Sequence, residues 1–175
     1  MSFNKTIIPR AMASILAHTR QVLHSEAVLE VQGAETFDCD VSKLQLHDLT
    51  AIAGLGGPIG LLIAFSFERS LIEAIYQRVT ADIGVPEGEE ALYIRETAAE
   101  IVNTILGLCT ADFQNLDQTI ALSPPVILED ARCIHRPKNA VFASMRVRTE
   151  RGVVTMSFVG PRDLFDEYLN YQAKS

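Results

Sequence analysis

The sequence lacks an excess of positive charge: Lys and Arg number 15 against 22 Asp and Glu, a net charge of -7. A nucleic-acid binder needs a basic footprint, so that class is set aside. A partner with a local basic group is still compatible. Cysteine is also scarce. Cys39, Cys109 and Cys133 form an odd set with no C-x-x-C, which excludes a disulfide framework and suits a reducing cytoplasm. Cys133 and His135 are close in sequence, but two ligands do not make a metal site. The thiols read as buried or incidental. No Ser-His-Asp or Cys-His set is visible, so no standalone nucleophile is offered. The opening MSFNKTIIPR has no apolar core and is not a signal peptide.

What is present reads as one domain spanning residues 1–175, with 48% hydrophobic residues to build a core. Residues 49–67 carry no charge and approach the length of a membrane span, but Gly56-Gly57-Pro58 would break a spanning helix. Turn residues between two apolar runs predict instead a hairpin of strands over 50–55 and 59–67. The remaining chain fills in around that hairpin. An amphipathic helix is expected over 8–24, with Pro9 in its first turn. His18 and His24, inside that stretch, read as surface or capping residues. Short strands are expected in 27–32 and around Leu44 and Leu46. His47-Asp48 reads as ordinary strand polarity. A helix follows the hairpin from Ser66 or Glu68 to about Arg78.

Residues 119–128 read as a strand interrupted by Ser123-Pro124-Pro125, at an edge or a break. Residues 140–149 and 153–159 form a second hairpin turning at Glu150-Arg151-Gly152. Pro161 opens a last short helix. The order helix, strands, hairpin, helix thus occurs twice, a faint repeat of about 80 residues. The fold class is α/β of the α+β type: a mainly antiparallel sheet with two long helices side by side on it.

The second long helix, over 90–109, carries the most information. Acids at Glu87, Glu89 and Glu90 suit its N-terminus through the helix dipole. Ala98, Ala99, Ile101, Val102, Ile105, Leu106, Leu108 and Cys109 fall on one side. Glu96, Thr97, Glu100, Asn103, Thr104 and Gly107 fall on the other. Glu100 and Asn103, three apart, stand together. That spacing is common on solvated faces. Asn and Gly, however, are both unfavourable inside a helix, Gly by about 1 kcal/mol against Ala. Gly107 also leaves bare backbone that a partner can approach. The acid, the amide and the bare patch are in line, as on a docking and chemistry surface.

Glu100-Ile101-Val102-Asn103, then Gly107, then Leu122-Ser123-Pro124-Pro125-Val126, resembles the CheC/CheX/FliY family of chemotaxis phosphatases, its single-site CheX-like branch most of all. The likeness extends to residues 54–79, similar to the family's Gly-containing hairpin, strand and following helix. Where the family often has Asp or Ser four residues before the Glu, this chain has Glu96. The helix at 8–24 has no E-x-x-N, which fits a one-site member.

The resemblance implies a cytoplasmic phosphatase acting on the phospho-aspartate of a response-regulator receiver in two-component signalling. Asn103 would orient the attacking water and Glu100 would engage the receiver's lysine. Gly107 and Glu96 would shape the docking surface, and Pro125 would fix a strand beside the helix. The Mg2+ would belong to the receiver, and no metal is expected on this chain. A homodimer is expected, both from the family and from the need to cover the edges of the strands at 140–159. Neither nucleic acid nor membrane is expected as a partner. The alternative is a non-catalytic module of the same family that binds a receiver or a flagellar-switch protein.

Overall fold

The structure, a computed structural model, describes residues 7–37, 42–57, 60–113 and 120–165. Two long helices dominate one layer. The first, α1 (Ile7–Ala27), outruns its expected bounds at both ends, and the second, α3 (Glu90–Asp112), runs three residues further than expected. A shorter helix, α2 (Arg69–Val79), lies between them in sequence and touches both. The strands are β1 (Val31–Phe37), β2 (Lys43–Gln45), β3 (Leu49–Leu55), β4 (Leu61–Phe67), β5 (Val126–Glu129), β6 (Cys133–His135), β7 (Ala140–Thr149) and β8 (Gly152–Pro161). A short 3-10 turn, Arg162–Leu164, stands where the last helix was expected, and the rest of that segment lies outside the described residues.

Six strands form one antiparallel sheet in the order β1-β7-β8-β4-β3-β5, and β2 pairs with β6 as a separate ribbon. Exchanging β1 with β5, β3 with β7 and β4 with β8 reproduces that order reversed. Exchanging β2 with β6 returns the same ribbon. The repeat read from element order is therefore a pseudo-two-fold about the β4–β8 pair. Each half lends its first strand to the edge of the other half.

Strand alternation separates two environments. Ala51, Ala53, Ile63, Phe65, Val141, Ala143, Met145, Val147, Val154, Met156 and Phe158 point into the core shared with the helices. On the opposite face, Leu44 of β2 packs on Phe142 and Val159, flanked by Leu46 and Ile134. The ribbon thus covers part of the sheet's back. Ser and Thr side chains fill much of that face and satisfy one another. Thr50 Oγ1 donates to Ser66 Oγ at 3.0 Å, and Ser144 and Ser157 share a bond of 2.9 Å. Among the described residues no buried side-chain nitrogen or oxygen lacks a partner.

Four sequence expectations change here. The strand expected over 27–32 begins only at Val31 and runs to Phe37, because α1 continues to Ala27. The strand expected over 119–128 is a single bridge, Leu55 to Leu122, followed by β5 only from Val126. The β6 strand was not foreseen. The strands at 140–159 are interior, since β1 covers β7 and β4 covers β8, so the edges that need cover are β1 and β5.

The β7–β8 turn is tied to α2 by Glu68. Its N–H donates to the Val153 carbonyl at 2.9 Å, and its carboxylate accepts from the Val153 N–H at 2.9 Å. Asp48 Oδ2 accepts the Arg69 N–H at 2.9 Å and so satisfies a donor in the first turn of α2. His47 donates its backbone N–H to Ser66 Oγ at 2.7 Å, and its ring reaches Thr155 Oγ1 at 3.2 Å. His47 and Asp48, expected as ordinary strand polarity, lie instead between β2 and β3, where they bond within the fold.

The α1–α3 seam has a polar end. Ser14 Oγ donates to Asp112 Oδ2 at 2.6 Å, and His18 Nε2 meets the same oxygen at 2.8 Å. Arg10 lies over the Phe113 ring at 5.2 Å. The hydrogen bond from Ser14, and then that from His18, hold the Asp112 carboxyl below its ordinary value of 3.8. Cys109 is buried beside them, and burial pushes its thiol up to about 11. His24, near the end of α1, contacts Glu30.

Two backbone positions and the seam give measurable consequences. Gly152 has φ +139°, and a Cβ there would lie 2.7 Å from Ser70 Oγ and 3.2 Å from Leu71 Cβ. Gly152→Ala should cost about 2–3 kcal/mol in urea unfolding. Val28 occupies the left-handed position just past α1: its N–H bonds His24 O at 3.2 Å, the 5→1 bond of an αL ending, and Leu29 N–H bonds Leu23 O at 3.0 Å. Val28→Gly should stabilise by about 0.5–1 kcal/mol in the same assay, since it relieves that strain. At the seam the lowered pKa means the carboxylate stabilises the fold above about pH 4, a contribution lost as pH falls through the folded value. Melting curves of Asp112→Ala should therefore lie below wild type at pH 6 and converge on it as pH falls through the lowered folded value. Curves that stay equally separated would contradict the seam's role.

Candidate functional site

Helix α3 begins after an acidic run and has no internal proline, so its register is continuous through the whole candidate stripe. Ala98, Ile101, Val102, Ile105, Leu106 and Cys109 are buried against the core. That burial turns Glu96, Glu100, Asn103 and Gly107 outward, and all four are exposed. Thr97 departs from the sequence expectation. It is only 7% exposed, because α1 and α2 flank the helix and widen its covered arc. Ala99 and Leu108, expected inside, are half-buried on the shoulders.

Glu100 and Asn103 are one turn apart on the outer face, about 5–6 Å between Cβ atoms at this spacing. Among the described residues neither side chain has a hydrogen-bond or ion-pair partner. The neighbouring Arg95 is committed elsewhere, to Glu129 of β5 at 3.1 Å. A Cβ added to Gly107 would meet nothing within 4 Å. The chain's own packing therefore does not require glycine there. The Gly107 carbonyl accepts a hydrogen bond from Thr110 Oγ1 at 2.7 Å.

Pro125 is half-buried and immediately precedes β5. The chain before it is pinned to β3. Gly54 N–H donates to Ser123 Oγ at 2.7 Å, and Ser123 N–H donates to Gly54 O at 2.9 Å. The prolines thus sit where the ladder is interrupted, and β5 then runs beside α3 at the sheet edge. Pro125 is grouped with the helix through that strand, and no contact places it on the exposed stripe.

An open cleft of about 560 Å³ lies elsewhere, lined by Gln45, Leu46, His47, Asp48, Asp130, Ala131 and Arg132. It holds no nucleophile, and Asp48 and His47 are already bonded within the fold. A surface that acts on a group carried by another protein needs no pocket of its own, so the shallow stripe on α3 is the better candidate. Among the described residues no three His, Cys, Asp or Glu side chains are grouped to hold a metal, and no helix is long and apolar enough to cross a membrane. One exposed apolar residue, Leu92, was not singled out from the sequence. It is 41% exposed and precedes Glu96 by four residues. It stands in phase with the polar stripe.

The family model described as chemotaxis phosphatase CheX matches residues 49–146. No curated protein matches the sequence. Among solved structures, chemotaxis protein CheX from Desulfovibrio desulfuricans superposes with a TM-score of 0.70 at 16% identity, covering 85% of this chain and 97% of that one. CheX in the CheX-CheY-BeF3-Mg2+ complex from Borrelia burgdorferi gives 0.61 at 12% identity, over 85% and 96%. FliY from Thermotoga maritima gives 0.59 at 15% identity, over 99% and 98%. At such identities these structures speak for the fold. The family-model match spans more than half of the chain, and with it the chain belongs to the CheX family of chemotaxis phosphatases.

Proposed function

We propose that the chain, as a single CheX-like domain in the cytoplasm, hydrolyses the phospho-aspartate of a CheY-like receiver, with Asn103 and Glu100 as its catalytic residues. The observation that carries this reading is the pair itself: an acid and an amide, exposed and without partners among the described residues, on the outer face of α3. Neither is a nucleophile, so the partner must bring an activated group. An acyl phosphate with a divalent metal at its oxygens is such a group. Asn103 holds a water in line with the departing aspartate. The water oxygen attacks phosphorus, the bond from phosphorus to the aspartyl oxygen breaks, and inorganic phosphate leaves with the carboxylate restored. Orientation of this kind supplies several kcal/mol. Glu100 pairs with the receiver's lysine. Gly107 and Glu96 shape the surface against which the receiver sits, and Pro125 keeps β5 beside the helix. The Mg2+ is the receiver's, and any divalent-ion dependence follows the receiver.

The Borrelia burgdorferi relative was solved as a CheX-CheY-BeF3-Mg2+ complex. That supports a receiver as partner here. We also propose a homodimer, now through the β1 or β5 edges rather than the interior strands.

Four outcomes check this reading. Asn103→Ala should retain fold and receiver binding but slow phosphate release by roughly 10²-fold or more. Asn103→Asp should fail as well, since a carboxylate cannot donate a hydrogen bond and repels the phosphoryl group. Glu100→Ala should weaken docking and turnover together. Gly107→Ala should raise stability by about 1 kcal/mol while weakening docking, since only the partner needs the bare backbone. Wild-type activity in Asn103→Ala would defeat the mechanism. Light scattering should give a dimer mass at micromolar concentration, and a monomer mass would remove the assembly.

A further inference from the structure

We propose that Leu92 is a specificity-determining residue of the receiver interface: an exposed apolar anchor in the first turn of α3, in line with Glu96, Glu100, Asn103 and Gly107. This rests on the phosphatase reading above. A single exposed leucine is ordinary on a protein surface. Three observations separate this one. The first is phase. Leu92 precedes Asn103 by eleven residues, just over three full turns, so the two side chains leave the helix within about 20° of each other. The second is redundancy within the fold. Ile94 supplies the apolar contact of that turn with the core, while Leu92 is 41% exposed.

The third is reach. Eleven residues of helix span about 16 Å. A stable protein interface covers about 800 Å² on each partner, a disc of about 16 Å radius. A receiver seated over Glu100 and Asn103 therefore covers Leu92. Glu89, Glu90 and Glu96 are exposed around it, so the matching receiver surface is an apolar patch flanked by basic groups. Receivers share the phosphoryl chemistry that Asn103 and Glu100 address. Leu92 touches none of that chemistry, so it contributes to the choice among receivers and not to the rate of hydrolysis.

The test is steady-state phosphate release from a CheY-type receiver charged with acetyl phosphate, with receiver binding measured in parallel. Leu92→Lys should raise KM and the dissociation constant about tenfold or more, with kcat within about twofold and an unchanged melting temperature. Leu62→Ser is the control: Leu62 is 50% exposed and pairs with Val159 of the interior strand β8 on the sheet face away from the helices. It should alter neither constant. An unchanged KM in Leu92→Lys, or an equal rise in both variants, overturns the assignment. If wild type binds the receiver without turnover and Leu92→Lys abolishes that binding, the anchor stands and the phosphatase reading falls. If wild type neither binds nor turns over the receiver, both fall.

Discussion

The rotational setting of α3 about its own axis is the constraint on which the rest depends. Ala98, Ile101, Val102, Ile105, Leu106 and Cys109 are each at most 4% exposed. Full burial of a large apolar side chain is worth about 1.5–3 kcal/mol. A turn of the helix by one residue, about 100°, would expose several of these and drive Glu100 or Asn103 toward the core, where an unpaired polar group costs further kcal/mol. The apolar stripe therefore points the polar one outward. Function lies on the face that the core does not use, and the core decides which face that is.

The pseudo-two-fold explains how so small a chain holds α3 this firmly. Each half contributes its first strand to the other half's edge, so neither half completes its sheet alone. The two long helices then meet as counterparts, joined at one end by Ser14, His18 and Asp112. Their outer faces have diverged. On α3 stand Glu100, Asn103 and Gly107, whereas the exposed positions of α1 include Ala13, Ala17 and Arg20. The frame is present twice, and only one helix carries the pair.

Legibility in the sequence followed the strength of local pattern. The helix over 90–109 has a long 3.6-residue period, and both hairpins are bounded by Gly-Gly-Pro or Glu-Arg-Gly. These elements and the exposed stripe were readable. The β6 strand was not, because three residues, Cys133-Ile134-His135, are too short to show alternation. Its partner β2 lies some 90 residues away. Ser66, Ser144 and Ser157 look like solvent-facing polar positions within apolar strands. They are buried and bonded to one another, Thr50 or His47. Which strands are edges is likewise a long-range fact: β7 acquires β1 as a neighbour through pairing across more than 100 residues. The roles of Glu100 and Asn103 came from family resemblance, and the fold adds that both are available at the surface.

The central claim is that the exposed pair on α3 makes this chain a catalyst and not only a partner. The most direct measurement is phosphate release from an acetyl-phosphate-charged receiver after removal of excess acetyl phosphate, with the protein added at one-twentieth of the receiver concentration. A catalyst turns over, so the whole receiver population should lose its phosphoryl group faster than it does alone. Loss confined to an equimolar fraction, or a rate equal to that of the receiver alone despite demonstrable binding, would contradict the account and make the chain a non-catalytic receiver-binding module.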